Sequence, residues 1–362
     1  MHLVLLISSL NSGGAQRILS RMANYWAHQG HRVSLITFSS SKELPFYSLN
    51  PAIKLIQLDQ MNGDSSIFTR FKNQVKRVFY LRRILKKLKP HLLVSFIDIM
   101  NITALIATLG LKIPVIVSER THPAYHHIPF LYRKLRLLFY PKAAYVIVQT
   151  QDAGAYFKGL KNIRVLPNAV TKPSVTKNAF NPFPARLVSV GRLCPFKGFD
   201  MLIEAFSCLL KEYPSLTLEI YGDGAEREKL EERVALLQLE KHVYLRGVVK
   251  DIQSVLRQAD LFIFPSRYEG FPNALCEAMA IGLPVIASDC SGNREIVQDR
   301  KNGRSFPSGD IQALICITRE LLNDSEQCLR LGNEAKTICS KFSQEKIFGL
   351  WDQVIERITS RL

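Results

Sequence analysis

Short apolar runs alternate with helix-like segments along the chain, and the alternation restarts once. In the first half, segments with helical periodicity, such as residues 15–30, separate runs at residues 3–7, 33–38, 92–96, 114–117 and 145–148. After the break come runs at residues 186–190, 217–221, 243–245, 261–264 and 285–287. Strands alternating with helices predict parallel sheets covered on both faces. The fold class is therefore α/β, with two doubly wound, Rossmann-like domains.

The break between the two patterns predicts the domain boundaries. Residues 167–184 contain four prolines and show no periodicity, which is typical of a linker. We expect residues 1–170 to form the N-terminal domain, 171–184 the linker and 185–342 the C-terminal domain. With 362 residues and 47% hydrophobic content, the chain can bury two cores. In such sheets, ligands bind at the carboxyl ends of the strands, so we expect a cleft there.

The charge is unevenly distributed. Counting Lys+Arg against Asp+Glu, residues 1–180 hold 25 against 6, and residues 181–362 hold 23 against 25. The excess of +17 thus lies in the first half, which indicates a polyanionic partner. Nucleic acid is disfavoured, because no aromatic-basic RNA motif, zinc spacing or recognition helix accompanies the charge. An anionic membrane surface or a phosphorylated acceptor remains.

Cysteine usage and hydropathy bear on localisation. The seven cysteines are odd in number and form no C-x-x-C pair, so we expect reduced thiols in a cytoplasmic protein. The apolar start, residues 1–10, is better explained as a first strand than as a signal peptide. The chain contains no stretch of about 18 uncharged apolar residues, so we expect no transmembrane span.

The most specific motif is E-G-F-P-N-A-L-C-E, residues 269–277. It follows the predicted strand 261–264, and its Gly270 and Pro272 predict a turn and the start of a helix. Free N–H groups at a helix start attract an anion. Glu277, one turn after Asn273, is placed to bind a diol such as a ribose. Glu269 is placed to bind a second hydroxylated ring. The layout fits a nucleotide sugar; two surface glutamates are the plainer alternative.

Two further loops supply candidate phosphate ligands. Arg192 and Lys197 follow the predicted strand 186–190 and are suited to hold a diphosphate. The arginine would bind it with its forked guanidinium, and the lysine as a point charge. Gly13 and Gly14 follow the first strand, where glycines allow close approach of a phosphate, although a structural turn explains them equally well. Gly222-Asp223-Gly224 lacks a third glycine, so a dehydrogenase is disfavoured.

Residues 70–89 carry many basic residues and no acidic one. Phe71, Val75, Val78 and either Leu81 or Arg82 recur at helical spacing, which predicts an amphipathic helix with a positive outer face. The simple explanation of this basic face is that it is exposed to solvent. Binding to lipid phosphates is favoured, because the acidic residues that usually lie between basic ones on a solvated face are missing. A second cluster at residues 130–140, with Arg133, Lys134 and Arg136, predicts the same interaction.

The chain resembles the family 4 glycosyltransferases, retaining nucleotide-sugar enzymes with the GT-B fold. The resemblance rests on five segments and spans nearly the whole chain: Gly13-Gly14-Ala15-Gln16-Arg17, Pro167-Asn168-Ala169-Val170, Gly191-Arg192 with Lys197-Gly198, Tyr221-Gly222-Asp223-Gly224, and residues 266–287. It implies two domains facing a cleft and a C-terminal helix, residues 343–362, that packs back on the first domain. It also implies a sugar nucleotide as co-substrate and no other cofactor.

The resemblance also implies site residues. The catalytic set is Arg192, Lys197, Glu269 and Glu277. The donor-binding set adds Gly13, Gly14, Gly191, Gly270, Phe271, Asn273 and Ala274. Glu119, Arg120 and His122 are expected at the acceptor, together with Arg70, Lys76, Arg77 and Arg83, although His122 can equally be an ordinary loop histidine. No metal ligand is expected, since the chain lacks the D-x-D motif of the other large glycosyltransferase class.

The predicted function is transfer of a sugar, GalNAc or GlcNAc, from a UDP-sugar to a polyprenyl-diphosphate-linked or lipopolysaccharide-type acceptor. The S-E-R-x-x-P segment from Ser118 resembles a bacterial subgroup with such acceptors. The protein would then work at the inner face of the cytoplasmic membrane. A UDP-sugar epimerase of GT-B type and an inactive binding subunit of an envelope-assembly complex are the alternatives.

Overall fold

The computed structural model describes residues 1–60, 67–126, 128–177 and 185–360. The chain divides into two compact units. The first consists of Met1–Asn168 and Glu345–Leu362, and the second of Ala169–Gln344. Each unit is built around its own parallel sheet.

The first unit contains a parallel sheet of seven described strands in the order β3-β2-β1-β4-β5-β6-β7. The strands are β1 His2–Leu6, β2 Arg32–Thr37, β3 Lys54–Gln57, β4 Leu92–Phe96, β5 Val115–Ser118, β6 Tyr145–Val148 and β7 Ile163–Val165. The helices are α1 Gly14–His28, α2 Ile67–Leu88, α3 Asp98–Ala107, α4 Phe130–Phe139 and α5 Gln151–Ala155, with α14 Gln344–Thr359 from the end of the chain. The strand order reverses at β1, which pairs with both β2 and β4. Ligands of open α/β sheets bind at such a reversal.

Helices α2, α3 and α4 share one core over the sheet. Leu81 and Leu85 of α2, Met100 of α3 and Phe139 of α4 are buried together there. Helix α2 is amphipathic as predicted, but the inward positions differ from the prediction. Asn73 is buried, and the apolar part of the inward side begins at Val78, whereas Val75 is exposed. The predicted spacing began at Phe71, whose side chain lies outside the described part.

The C-terminal helix α14 packs on α1 within the first unit. The indole of Trp351 lies edge-on to that of Trp26, with ring centroids 6.3 Å apart. Trp26 Nε1 donates a hydrogen bond to Asp352 at 2.8 Å, and the Tyr25 hydroxyl donates to the same carboxylate at 2.7 Å. Two buried aromatic side chains and a shared carboxylate therefore fix this helix on the unit.

The second unit contains a parallel sheet of six described strands in the order β10-β9-β8-β11-β12-β13. The strands are β8 Arg186–Val190, β9 Thr217–Tyr221, β10 Val243–Gly247, β11 Leu261–Phe264, β12 Val285–Ser288 and β13 Arg304–Phe306. The helices are α6 Phe199–Glu212, α7 Arg227–Leu236, α8 Ile252–Gln258, α9 Asn273–Ile281, α10 Ser291–Arg294, α11 Ile311–Leu322, α12 Ser325–Ala335 and α13 Ile338–Lys341. The order reverses between β8 and β11, which pair directly.

The predicted α/β class with two doubly wound, parallel-sheet units is confirmed. Each of the ten apolar runs corresponds to a strand, within one or two residues at its ends. Three further strands, β3, β7 and β13, were not predicted. Each lies at the edge of a sheet. Among the described residues, no helix combines the length and the apolar character needed to cross a bilayer.

Candidate functional site

In the second unit, the loops after β8 and β11 carry most of the predicted donor-site residues. The loop after β8 runs through Gly191 and Arg192 into a 3-10 turn, Pro195–Lys197. Gly198 follows with φ +70° and directly precedes α6, and a Cβ at this position would lie 2.2 Å from the Pro265 carbonyl oxygen of the other loop. Glycine is therefore required at position 198, both for the backbone conformation and for the contact.

Lys197 and Glu269 meet across these two loops. The Lys197 ammonium forms an ion pair and hydrogen bond with Glu269 Oε1, and both side chains are largely buried. The aliphatic stem of Lys197 passes Gly191, where an added Cβ would lie 3.2 Å from Lys197 Cδ. An ammonium has three N–H donors, so this pair leaves donors available for further acceptors. A predicted phosphate ligand and a predicted sugar ligand thus lie in direct contact.

Arg192 is placed differently from Lys197. Its side chain is exposed, and among the described residues the guanidinium has no ion-pair partner. An exposed guanidinium keeps all five donors for a ligand such as a phosphate. The loop that carries it is held by backbone contacts. Gly191 N donates to Tyr221 O at 2.9 Å, and a Cβ on Gly222 would lie 1.8 Å from Gly191 O.

Helix α9 starts where the motif predicts. It begins at Asn273, with Pro272 directly before the first helical residue. Gly270 and Phe271 are buried, and the Phe271 ring packs edge-on against Phe342 at 5.6 Å. Most of α9 is buried, but Asn273, Ala274 and Glu277 are only half-buried. These three predicted donor-site residues lie on one side of the helix, within its first two turns.

The structure adds neighbours that the sequence did not reveal. Tyr268 stacks on Phe196, with ring centroids 4.7 Å apart and an interplanar angle of 22°. Arg267 binds Asp200 as a fork, with N–O distances of 2.9 and 2.7 Å. Both contacts join the β11 loop to the segment that contains Lys197. No short-range sequence signal links these pairs, because the partners are about 70 residues apart.

In the first unit, Gly13 and Gly14 lie at the start of α1. Helix α1 begins at Gly14, and Gly13 precedes it in an extended conformation. The Tyr47 hydroxyl lies 3.3 Å from both the nitrogen and the oxygen of Gly13. Gly14 is exposed. The loop after β1 therefore leads to a helix whose first residue is exposed, and a helix start is a setting in which a backbone binds phosphate.

Glu119, at the carboxyl end of β5, belongs to a buried polar cluster. The Tyr140 hydroxyl donates to its carboxylate, and Arg136 Nη1 lies 4.0 Å away. Burial, with a contribution from the nearby Asp98, raises the pKa of Glu119 to about 7. Arg136 was assigned to the second basic surface cluster, and that assignment is wrong: the side chain is buried. Arg136 recurs at helical spacing with Tyr132, Leu135 and Phe139, and this spacing predicts that it lies on the side of α4 that faces the core.

Arg120 and His122 are also engaged in contacts within the first unit. The Arg120 guanidinium lies 3.6 Å from the centroid of the Phe96 ring, and Nη1 donates to Asn168 Oδ1 at 2.7 Å. Burial lowers the pKa of Arg120 to about 9. His122 is buried; its Nδ1 accepts from Ala124 N, so Nε2 carries the proton that it shares with Asp152 at 3.0 Å. An acceptor role for these residues stays a prediction.

The predicted basic residues of α2 differ in exposure. Lys76 and Arg83 are exposed. Arg77 is half-buried, donates to Gln60 O at 3.0 and 2.8 Å, and has its pKa lowered by burial. The side chain of Arg70 lies outside the described residues. In the part of the chain that is described, no group of three or more His, Cys, Asp or Glu side chains is arranged to hold a metal ion.

Both units of the chain match known protein families. Residues 12–172 match the family described as Glycosyltransferase Family 4, and residues 172–338 match Glycosyl transferases group 1. The two matches meet at residue 172 and together run from residue 12 to residue 338. The second match contains the loops after β8 and β11 and helix α9.

Proteins of similar sequence or fold agree with these family matches. The chain is 29% identical, over 99% of both chains, to the GalNAc-alpha-(1->4)-GalNAc-alpha-(1->3)-diNAcBac-PP-undecaprenol alpha-1,4-N-acetyl-D-galactosaminyltransferase of Campylobacter jejuni. Its fold is similar to that of sucrose-phosphate synthase from Thermosynechococcus elongatus, with a TM-score of 0.89, 19% identity and full coverage of both chains. It is also similar to S. aureus TarM, solved with Fondaparinux, alpha-GlcNAc-glycerol and UDP, with a TM-score of 0.81, 16% identity and coverage of 98% and 99%. These likenesses match the GT-B fold.

Proposed function

The chain belongs to the glycosyltransferases, with a family 4 domain followed by a group 1 domain, and from this membership we propose its reaction. It transfers an N-acetylhexosamine, GalNAc or GlcNAc, from a UDP-sugar to a polyprenyl-diphosphate-linked oligosaccharide or a lipopolysaccharide-type acceptor. The transfer proceeds with retention of anomeric configuration and without a metal ion. The product serves cell-envelope glycan biosynthesis.

The observation that carries the proposal is the contact between Lys197 and Glu269 at the carboxyl ends of β8 and β11. A fixed cation beside a fixed carboxylate suits a ligand that carries a phosphate next to a hydroxylated ring. The half-buried side of α9, with Asn273 and Glu277, continues the same edge of the sheet. In this assignment Glu269 binds the transferred sugar, Glu277 the ribose, and the start of α9 the diphosphate.

The proposed mechanism is a front-face displacement. The bond between the anomeric carbon and the UDP oxygen breaks, and the acceptor oxygen bonds to the same face of that carbon. The proton of the acceptor hydroxyl passes to an oxygen of the departing diphosphate. Arg192, Lys197 and the α9 amides stabilise the charge that develops on the leaving group. Catalysis then rests on positioning and charge stabilisation.

The proposed acceptor is supported by charge and by similarity. The name of the Campylobacter jejuni relative specifies an acceptor on PP-undecaprenol. The first unit of the present chain contains the helix α2, whose outer side carries Lys76 and Arg83. Cations near an anionic leaflet contribute about 1 kcal/mol each to binding. We therefore place the protein at the inner face of the cytoplasmic membrane, where these cations contact lipid and acceptor phosphates.

A transfer assay tests the proposal. Purified protein is incubated with a panel of UDP-sugars and polyprenyl-diphosphate oligosaccharides, and the lipid product is analysed by mass spectrometry and by NMR of the new linkage. The expected product carries one additional HexNAc in an α linkage. Release of UDP without a larger lipid product, or interconversion of the UDP-sugars alone, would refute the assignment in favour of an epimerase or hydrolase. No reaction with any pair would favour a binding subunit.

A further inference from the structure

Helix α4 presents a large apolar surface to solvent. The side chains of Phe130, Leu131, Leu137 and Leu138 are exposed to 67, 52, 69 and 60%. They occupy positions i, i+1, i+7 and i+8, which lie on one side of a helix. We call this side, together with Lys134, the α4 outer face. The opposite side packs into the core through Phe139, with Tyr132 and Leu135 partly buried. The helix is therefore apolar on both sides.

Two exposed cations of α4 lie beside this apolar surface. Lys134 Nζ lies 4.6 Å from the centroid of the Phe130 ring, and Arg133 is exposed beside it. The helix contains no acidic residue. Arg136 turns inward to Glu119, so it does not interrupt the outer face. Exposed leucines and a phenylalanine flanked only by cations are typical of helices that lie in a membrane interface.

Helix α2, in the same unit, also exposes apolar and basic side chains. Both helices contribute to one core on the same sheet. Burial raises the pKa of Tyr132 on α4, and the charge of Arg77 on α2 opposes that rise. The outer side of α2 exposes Phe79 and Tyr80 together with Lys76 and Arg83. Helix α3 contacts both α2 and α4. Aromatic and basic side chains are thus exposed together on α2 as well.

We propose that the α4 outer face inserts into the boundary between headgroups and acyl chains of an anionic bilayer. Phe130, Leu131, Leu137 and Leu138 enter the apolar region, while Lys134 extends its ammonium to the lipid phosphates. The exposed cations of α2 contact the same leaflet. The inference rests on the proposed function, because the lipid-linked acceptor would be held in that bilayer.

Charge favours a bilayer over a second copy of the chain. A symmetric dimer through the α4 outer face would bring Arg133 and Lys134 of one copy towards the same residues of the other. Like charges facing each other at an interface oppose association. An anionic leaflet offers phosphates to the cations and acyl chains to the leucines. The surface is complementary to lipid in both respects.

Vesicle binding tests the insertion with a matched control. The full chain is sedimented with vesicles of phosphatidylglycerol and phosphatidylethanolamine at low and high salt. The double variant Leu137→Gln, Leu138→Gln should lower the partition coefficient at high salt about tenfold or more, since burial of one leucine changes an equilibrium by at least that factor. Leu236→Gln is the control, because Leu236 is 82% exposed on α7 of the second unit. The control variant should bind as the unsubstituted chain does.

Depth-dependent quenching supplies a second readout. The native indoles, Trp26 and Trp351, are buried, so the emission of a Phe130→Trp variant can be compared directly with that of the unsubstituted chain. Vesicles with brominated acyl chains should quench the added indole and leave the native signal unchanged. Unaltered partition of the double variant, absence of quenching, or a dimer in solution that the double variant dissociates would each overturn the inference.

Transfer to a short acceptor without a lipid anchor separates this inference from the proposed function. The double variant should transfer sugar to that acceptor at the rate of the unsubstituted chain, while its binding to vesicles falls. Normal vesicle binding by a chain that transfers no sugar would refute the proposed function and leave the insertion intact.

Discussion

Lys197 and Glu269 form an ion pair although they lie in loops after different strands and are 72 positions apart in the sequence. The contact forms because β8 and β11 are adjacent in the parallel sheet, so that their following loops meet at one edge. Each residue is held by its own loop, Lys197 by the 3-10 turn before Gly198 and Glu269 by the segment before α9. The sheet order thus brings together a cation and a carboxylate for one ligand.

Removal of the cations of this site should slow the transfer step. Arg192→Ala and Lys197→Ala should each lower kcat by roughly 10² to 10³, by analogy with loss of a donor that stabilises charge in a transition state. Arg192→Ala should leave the melting temperature unchanged, because its side chain is exposed. Lys211→Ala, which removes an exposed lysine from α6, is the control. Unchanged turnover in both site variants would remove these residues from the mechanism.

Chelation should leave the activity intact. If Arg192, Lys197 and the start of α9 neutralise the leaving diphosphate, no divalent ion is needed for its departure. We expect the same initial rate in excess EDTA as in Mg²⁺ or Mn²⁺, measured as UDP release. A rate that falls to background with EDTA and returns with Mn²⁺ would contradict the metal-independent mechanism.

The buried carboxyl group of Glu119 should make stability depend on pH. Its folded-state pKa of about 7 lies above the ordinary value of 4.5, so the folded protein binds more protons than the unfolded chain between these values. The free energy of unfolding should therefore fall as pH rises from about 4.5 to about 7, by up to about 3 kcal/mol. Glu119→Gln should lack this component, as shown by urea titrations of both proteins across the range. Parallel pH profiles would contradict the assigned pKa.

Gly198 should tolerate no side chain. Gly198→Ala would add the cost of a left-handed backbone to the overlap with Pro265 O, and we expect a loss of about 2 to 4 kcal/mol in the free energy of unfolding. Gly309→Ala provides the comparison, because Gly309 has φ +91° and an added Cβ there would meet nothing within 4 Å. That variant should lose about 1 kcal/mol. Equal losses would show that the contact with Pro265 contributes nothing.

Most of the strands that the sequence predicted are buried on both faces, although β10, a partly buried edge strand, was predicted as well. β1, β4 and β11 consist of buried residues throughout, and such strands give continuous apolar runs. β3, β7 and β13 lie at sheet edges and are short, with Lys54, Arg164 or Arg304 among their few residues. These three short strands therefore gave no apolar run, whereas the edge strand β10 still begins with the apolar run at residues 243–245.

Side-chain direction was harder to predict than the elements themselves. The spacing of Glu277 after Asn273 placed both on one side of α9, because helix geometry alone determines it. Arg136 was assigned to the surface because it is charged, whereas its position in α4 turns it inward to Glu119. The contacts of Arg120 with Phe96 and Asn168 depend on tertiary packing, for which the sequence offers no local signal.

A crystal structure of the chain soaked with a UDP-sugar would show whether the loops after β8 and β11 hold the donor. We expect diphosphate oxygens within hydrogen-bonding distance of Arg192 and Lys197, the ribose hydroxyls at Glu277, and the transferred sugar at Glu269. A UDP-sugar bound away from the start of α9, with these four side chains making no contact to it, would contradict the proposed donor site.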